Sequence, residues 1–159
     1  MNYFELFDIP VSLQVDKNIL AIKYIALQKK FHPDFFTRST EYEQAEALEK
    51  SSQINKAHKI FKNGDETIKY VLQLKNLLEE DEKYQLPPDF LMEVMELNEE
   101  LSEDSHRQIN MLENEILTPV KSIIANFNDT ATSTEELLKV KEYYYKKKYL
   151  QRILDRMDG

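Results

Sequence analysis

A proline at position 33, flanked by His32 and Asp34, separates two long stretches of helical periodicity, and no other feature limits the fold so tightly. A proline just past a helix end stops that helix and holds the preceding residue extended. The upstream stretch, residues 16–31, opens on Asp16, a good N-cap. It repeats Leu20, Tyr24, Leu27 and Phe31 at helical spacing, which predicts an inward stripe. The downstream stretch opens on Thr40 with Glu43 three residues on, a capping box, and runs through Leu48, Ile54, Ala57 and Phe61. Two helices meeting at a proline-stopped corner make a hairpin with an imidazole and a carboxylate at its tip. That placement suits contact with another protein better than chemistry on a small molecule, because nothing nearby in sequence suggests a pocket.

The remaining chain reads as helix too. Residues 3–7 form an apolar-rich turn of helix before Pro10, and only two glycines occur, Gly64 and Gly159, too few for a fold built on strands and tight turns. Asn63-Gly64-Asp65 reads as a turn, followed by a helix bearing Ile68, Val71, Leu72 and Leu74 and reaching toward Leu78. The acids 79–82 and the pair Pro87-Pro88 mark a boundary. Asp89 is then expected to cap a helix reaching about Leu101, and residues 102–104 to make a tight connection. Ile109, Leu112, Ile116 and Leu117 lie on the next helix. Thr118-Pro119 interrupts it, either as a kink or as a fresh start with proline at the first position, and helix resumes through Ile123, Ile124 and Phe127. Ser133 and Glu136 form a second capping box before a long last helix. The expected organisation is all-α: a first domain over 1–78, an acidic and proline-bearing linker over 79–88, and a three-helix bundle over 89–159.

Composition removes several classes of function. The chain has no cysteine, which excludes disulfides, thiolate nucleophiles and cysteine-based metal sites. His32, His58 and His106 are scattered without ligand spacing, so neither a metal nor a cofactor is expected. The first eight residues carry acids and no basic stretch, unlike a signal peptide, and no apolar run has membrane-spanning length, so a cytoplasmic protein without membrane contact is expected. The net charge of −8 conceals strong segregation. Residues 79–115 hold thirteen acids against two bases, residues 139–152 hold six bases against one acid, and residues 17–30 hold four lysines and no acid. Such segregation speaks of partners.

The helix after Asp89 permits a geometric argument. At about 100° per residue, Phe90, Val94, Leu97 and Leu101 fall within roughly 60° of one another, a sufficient core stripe. Leu91, Met95 and Met92 point about 100°, 140° and 200° away from Phe90, bordered by Glu99 and Glu96 near 180° and 240°. An apolar, methionine-rich patch rimmed by carboxylates on the side away from the core suits the capture of a protein.

A short helix, a lysine-bearing helix, His32-Pro33-Asp34 and a helix carrying Ser51-Ser52-Gln53-Ile54-Asn55-Lys56-Ala57 together resemble a J domain. The opening Tyr3-Phe4-Glu5-Leu6-Phe7 and the segment Phe90-Leu91-Met92-Glu93-Val94-Met95-Glu96-Leu97-Asn98-Glu99-Glu100-Leu101 narrow the resemblance to the HscB family of J-type co-chaperones. The resemblance implies a non-enzymatic partner of a DnaK- or HscA-class chaperone, whose ATPase it stimulates. It also implies delivery of the iron–sulfur scaffold protein IscU. The chaperone-facing set would be His32, Pro33, Asp34, Lys23, Lys29 and Lys30, with Asp34 offering its carboxylate to a guanidinium. The client-facing set would be Leu91, Met92, Met95, Glu96, Glu99 and Tyr149. Phe35 stands where such domains commonly carry a base, and Ile25 and Ala26 where generic ones carry two more, so the face is less basic than usual.

Two other readings fit the residues. One is a general J-domain adaptor with a different client. The other is a helical nucleic-acid binder using residues 139–152, where Tyr143-Tyr144-Tyr145-Lys146-Lys147-Lys148-Tyr149 mixes aromatic and basic side chains. A helix with some tyrosines packed inward and lysines answering the acids upstream is the better account of that run, and no nucleic-acid partner is expected.

Overall fold

Helix is the only regular structure among the described residues, 1–158 of this computed structural model. In chain order the elements are α1 (Tyr3–Leu6), α2 (Lys17–Phe31), a 3-10 turn (Pro33–Phe36), α3 (Glu41–Phe61), α4 (Gly64–Leu74), α5 (Pro88–Glu99), α6 (Ser105–Leu117), α7 (Lys121–Ala125) and α8 (Thr134–Asp158). With so few glycines, Asp8 and Asn76 take the left-handed backbone just past α1 and α4, at φ of 53° and 59°. In both places the chain closes in a Schellman pattern: Ile9 N–H donates to the Phe4 carbonyl at 3.0 Å, and Leu77 N–H to the Leu72 carbonyl at 2.9 Å. Asp and Asn visit this region more readily than other L residues. Gly64, by contrast, starts α4 without needing its freedom, since nothing lies within 4 Å of an added Cβ. The turn there is made by Asn63, whose Oδ1 accepts from Glu66 N–H at 3.1 Å.

The chain folds as two compact units, Met1–Val71 and Leu72–Gly159. The division falls inside α4, seven residues before the expected end of the first domain at 78. In the first unit α2 and α3 pack together in antiparallel fashion, with Tyr24 facing His58 and Gln28 facing Asn55. Asp16 caps α2 as expected, accepting from the N–H groups of Asn18 and Ile19 at 2.8 and 3.0 Å. Thr40 Oγ1 caps α3, accepting from Glu43 N–H at 3.1 Å. Phe4, Phe7 and Phe61 form an aromatic centre, with Phe61 tilted against Phe4 and edge-on to Phe7. Thr67 is buried there without cost because its hydroxyl donates to the backbone of Ile60 or Asn63.

Some expected core positions differ. Leu20 is buried, whereas Tyr24, Leu27 and Phe31 are half-buried. Leu48 is 61% exposed, and α3 buries Ala47, Ser51, Ile54, Ala57 and Phe61 instead. Small residues at 47 and 51 let α3 lie close to its neighbours, so the stripe runs one residue to the side of Leu48.

In the second unit α5, α6 and α8 form the expected bundle around Phe90, Val94, Ile109, Leu112, Leu150 and Ile153, and α7 adds a short fourth helix against α8. Ser133 and Glu136 make a full capping box at the start of α8. Glu136 N–H donates to Ser133 Oγ at 3.1 Å, and Ser133 N–H to Glu136 Oε1 at 3.0 Å. Asp89 does not cap α5. Pro87 stands at the N-cap, Pro88 starts the helix, and Asp89 sits in the first turn, where its charge suits the dipole. The helix stops at Glu99, which leaves Leu101 outside it and exposed. Pro119 separates α6 from α7 outright, and Phe127 lies beyond α7. The stretch 79–88, expected as a linker, is held on α8 within this unit: Tyr84 stacks on Tyr145 at 4.6 Å, and Lys141 Nζ meets Glu82 at 2.7 Å.

Candidate functional site

The His-Pro-Asp corner owes its shape to three backbone events. His32 ends α2 by donating its N–H to the Gln28 carbonyl at 3.0 Å. Its ψ of 131° is the extended value that a following proline demands. Pro33 then opens the 3-10 turn, and the His32 imidazole caps it, Nδ1 accepting from Asp34 N–H at 3.2 Å. In that arrangement Nδ1 carries no proton. The imidazole thus locks the turn, and the Asp34 side chain, 84% exposed, projects into solvent. Its Oδ2 lies 3.6 Å from His32 Nδ1, and the carboxylate is otherwise open. A carboxylate this exposed is able to accept a charge-assisted hydrogen bond.

The lysines expected beside the corner are not equivalent. Lys29 is exposed, Lys23 reaches Asp8 at 3.6 Å, and Lys30 lies 5.2 Å from the centre of the Phe31 ring. Between them is an apolar feature that the charge pattern hid. Ile22 and Ile25 are 67% and 54% exposed, Phe35 is exposed past the corner, and Ile25, Phe35, Tyr24 and His32 line a shallow hollow of about 330 Å³. The signal was present in the sequence. On a helical wheel Ile22 and Ile25 lie about 200° and 140° from Leu20, on either side of Lys29. Behind the hollow Tyr24 stacks on His58 at 3.9 Å, and its hydroxyl donates to Asn55 Oδ1 at 2.8 Å. Burial, and then the charge of Lys62, push the His58 imidazole below its ordinary value.

On the second unit, Met92 and Met95 of α5 are 63% and 53% exposed. Glu96 and Glu99 beside them are exposed, and Leu91 is half-buried. Tyr149 packs against the bundle core yet shares a cleft with Leu91, so the structure brings these two together across α5 and α8. Glu96 instead lines a groove between α5 and α6 with Glu93, Glu100 and Glu115. Sequence reasoning missed Tyr84, Leu86 and Tyr145, which build the wall of the Leu91–Tyr149 cleft. Their aromatic and apolar character was visible, but they come from a stretch read as linker and from a run whose inward side was unknown. In that run Tyr143 and Tyr144 are buried, Lys141 is tied to Glu82, and Lys146 lies 3.9 Å from Glu142. It is therefore a packed helix face more than a ladder of free aromatics and cations.

No group of three or more His, Asp or Glu that could hold a metal occurs among the described residues. No helix among them is long and apolar enough to cross a membrane. His106 pairs with Asp158 at 3.0 Å. What the two surfaces offer chemically is recognition: a fixed carboxylate beside an apolar hollow, and an exposed methionine pair between an acidic and an aromatic border.

Residues 86–158 match the family model described as the HSCB C-terminal oligomerisation domain. The co-chaperone protein HscB homolog of Vibrio cholerae is 41% identical over 102 residues, covering 64% of this chain and 60% of that protein. That of Vibrio vulnificus is 39% identical over 107 residues, covering 67% and 63%. The matched region thus spans somewhat less than two thirds of these curated relatives. Two solved structures match over nearly the whole chain. Chaperone HscB from Vibrio cholerae shares 30% identity with a TM-score of 0.65, covering 99% of both chains. Human co-chaperone protein HscB shares 26% with a TM-score of 0.80, covering 99% of this chain and 81% of its own. With an all-helical fold, a His-Pro-Asp corner in the first unit and a matched bundle in the second, the chain belongs to the HscB family of co-chaperones.

Proposed function

We propose that this chain is a two-handed adaptor that stimulates the ATPase of a DnaK- or HscA-class chaperone with its first unit and presents an IscU-type iron–sulfur scaffold with its second. The observation that carries the reading is the pairing, in one chain of this family, of two unlike recognition surfaces. One is the outward carboxylate of Asp34 on a turn locked by Pro33 and the His32 imidazole. The other is the exposed Met92–Met95 pair of α5. A rigid turn aims one acceptor at one donor on the partner, as a charge-assisted hydrogen bond requires. Exposed methionines supply an adaptable apolar contact. The adaptor carries no catalytic group of its own in this reading; the hydrolysis is the chaperone's. Of the docking set, Lys29 is the free cation that would draw the corner toward an acidic patch, with Lys23 and Lys30 in weaker supporting places.

Single-turnover ATP hydrolysis by a purified HscA- or DnaK-class chaperone, with and without this protein and the scaffold, tests the proposal. Wild type should accelerate hydrolysis and accelerate it further with scaffold present. Asp34→Asn should abolish the acceleration while leaving the circular dichroism spectrum and scaffold binding intact. Normal stimulation by that variant would refute the docking role.

A further inference from the structure

The cleft shared by Leu91 and Tyr149 carries charge opposite to the rest of the α5 face. Its volume is about 650 Å³, and Tyr84 and Tyr145 form its wall, stacked with rings only 6° from parallel. Three cations stand on its lining: Lys83 and Arg152, both exposed, and Lys148, whose Nζ lies 5.9 Å from the Tyr145 ring centre. Its one carboxylate, Glu82, is already engaged by Lys141 at 2.7 Å and by the N–H of Glu79 at 3.0 Å. Lys83, Lys148 and Arg152 have no carboxylate within 4 Å among the described residues. On the helical wheel Glu99 stands between Met95 and Met92, and past Met92 the other border of the face bears Glu96 and then Glu93, with Glu100 just beyond the helix end; none of these four is in an ion pair among the described residues.

We propose that the cleft between residues 82–86 and α8 receives an acidic segment of the protein client, so that the client-gripping face is dipolar and fixes the client's orientation. The inference rests on the reading of the second unit as client-binding and adds the client's chemistry to it. The client surface should present an apolar strip, with carboxylates on the side that meets Lys148 and Arg152 and bases on the side that meets Glu96 and Glu93. A reversed docking would set like charges against each other at both borders, a penalty that selects one orientation. The flat tyrosine wall gives an apolar neighbour to the acidic side chain a surface to cover. Burial pushes the Tyr84 and Tyr145 phenols up, and nearby carboxylates add to it, so both stay protonated and able to donate to a carboxylate. Nucleic acid fits less well, because Glu93, Glu96 and Glu99 of α5 and Glu100 just past it stand on or beside the same face and would repel a continuing phosphate chain.

Calorimetric titration of the full chain with purified IscU-type scaffold, at 50 and 300 mM NaCl, tests this. Lys148→Glu with Arg152→Glu should weaken binding by about tenfold or more at low salt and flatten the salt dependence. Lys148→Arg with Arg152→Lys should retain it. Both side chains are exposed, and thermal unfolding of each variant verifies that the bundle survives. If the charge-reversed protein binds scaffold within twofold of wild type while Met92→Ala with Met95→Ala still loses affinity, the dipolar face is wrong and the client-binding reading stands. If wild type binds no scaffold, both fall. Tight, salt-sensitive binding of a single-stranded oligonucleotide that competes with scaffold would reassign the cleft and overturn the inference.

Discussion

Replacing Met92 and Met95 together by alanine separates a binding surface from a core, and the exposures set the size of the effect. Full burial of a methionine side chain is worth about 2 kcal/mol. With 63% and 53% of the two residues open to solvent, a client that covers them can gain at most about 1.3 and 1.1 kcal/mol. Interfaces do not convert all of this area into affinity, because side chains are immobilised and water is retained. A loss of about 1.5–2 kcal/mol is the reasoned value, or roughly 10- to 30-fold in Kd. Stability should barely change. Both positions lie on the outward side of α5, and alanine is the better helix former, so unfolding free energy should stay within about 0.5 kcal/mol of wild type. Calorimetric titration with IscU-type scaffold reads the first quantity, and thermal unfolding the second. Binding within twofold of wild type would refute the surface. A loss of more than about 2 kcal/mol in stability would show that the methionines act as core instead.

Three further outcomes follow from the local chemistry. Desolvation pushes the Glu82 carboxyl up, but the hydrogen bonds from Lys141 and from the Glu79 N–H, with the Lys141 charge, outweigh it and hold it below its ordinary value of 4.5. Its stabilisation is therefore complete above that pH and is lost as pH falls through the lower folded value. Because this pair is mostly buried, Glu82→Gln should cost about 1–3 kcal/mol at pH 7 and almost nothing in strong acid, read from urea unfolding across pH. The His58 imidazole is held below 6.5, so the unfolded chain binds its proton first, and stability should fall as pH drops through 6.5 toward the folded value; His58→Phe should flatten that part of the melting profile. Ser133→Ala removes the cap of α8 and should lower stability by about 1 kcal/mol, measured by denaturant unfolding at neutral pH.

The hairpin, its caps and the bundle were legible because each is set by local rules. Asp16, Thr40 and Ser133 cap the helices that their side chains announce, and Phe90 and Val94 are buried where periodicity puts them. What failed depended on neighbours that a sequence does not show. Leu48 reads as core beside Ala47, but close approach of helices favours the small side chain. Leu101 continues the wheel of α5 only if the helix continues, and it stops at Glu99. The segment 79–88 has a linker's composition, yet Tyr84 finds Tyr145 and Glu82 finds Lys141 more than fifty residues away. The Met92–Met95 surface could be derived because an outward apolar pair is a statement about one helix. The cleft beside it needed three segments, and only a structure places them.

The two surfaces also differ in the kind of force they offer, which bears on how one chain would serve the two proposed partners. Beside the corner of the first unit Lys23 is paired with Asp8 and Lys30 lies near the Phe31 ring, which leaves Lys29, while Ile22, Ile25 and Phe35 lie open on the same unit as the exposed Asp34 carboxylate. In the proposed adaptor, contact there would be a short-range apolar match completed by one directional bond at Asp34, a design that favours brief, geometry-checked engagement over strong steering. On the second unit, unpaired charges of both signs border an apolar strip, a design that draws in a partner from a distance and holds it in one orientation. An adaptor of the proposed kind, keeping its client while repeatedly meeting and leaving a chaperone, would need this asymmetry. Were both faces strongly basic, each would compete for the same acidic surfaces, and the chain could not tell its partners apart.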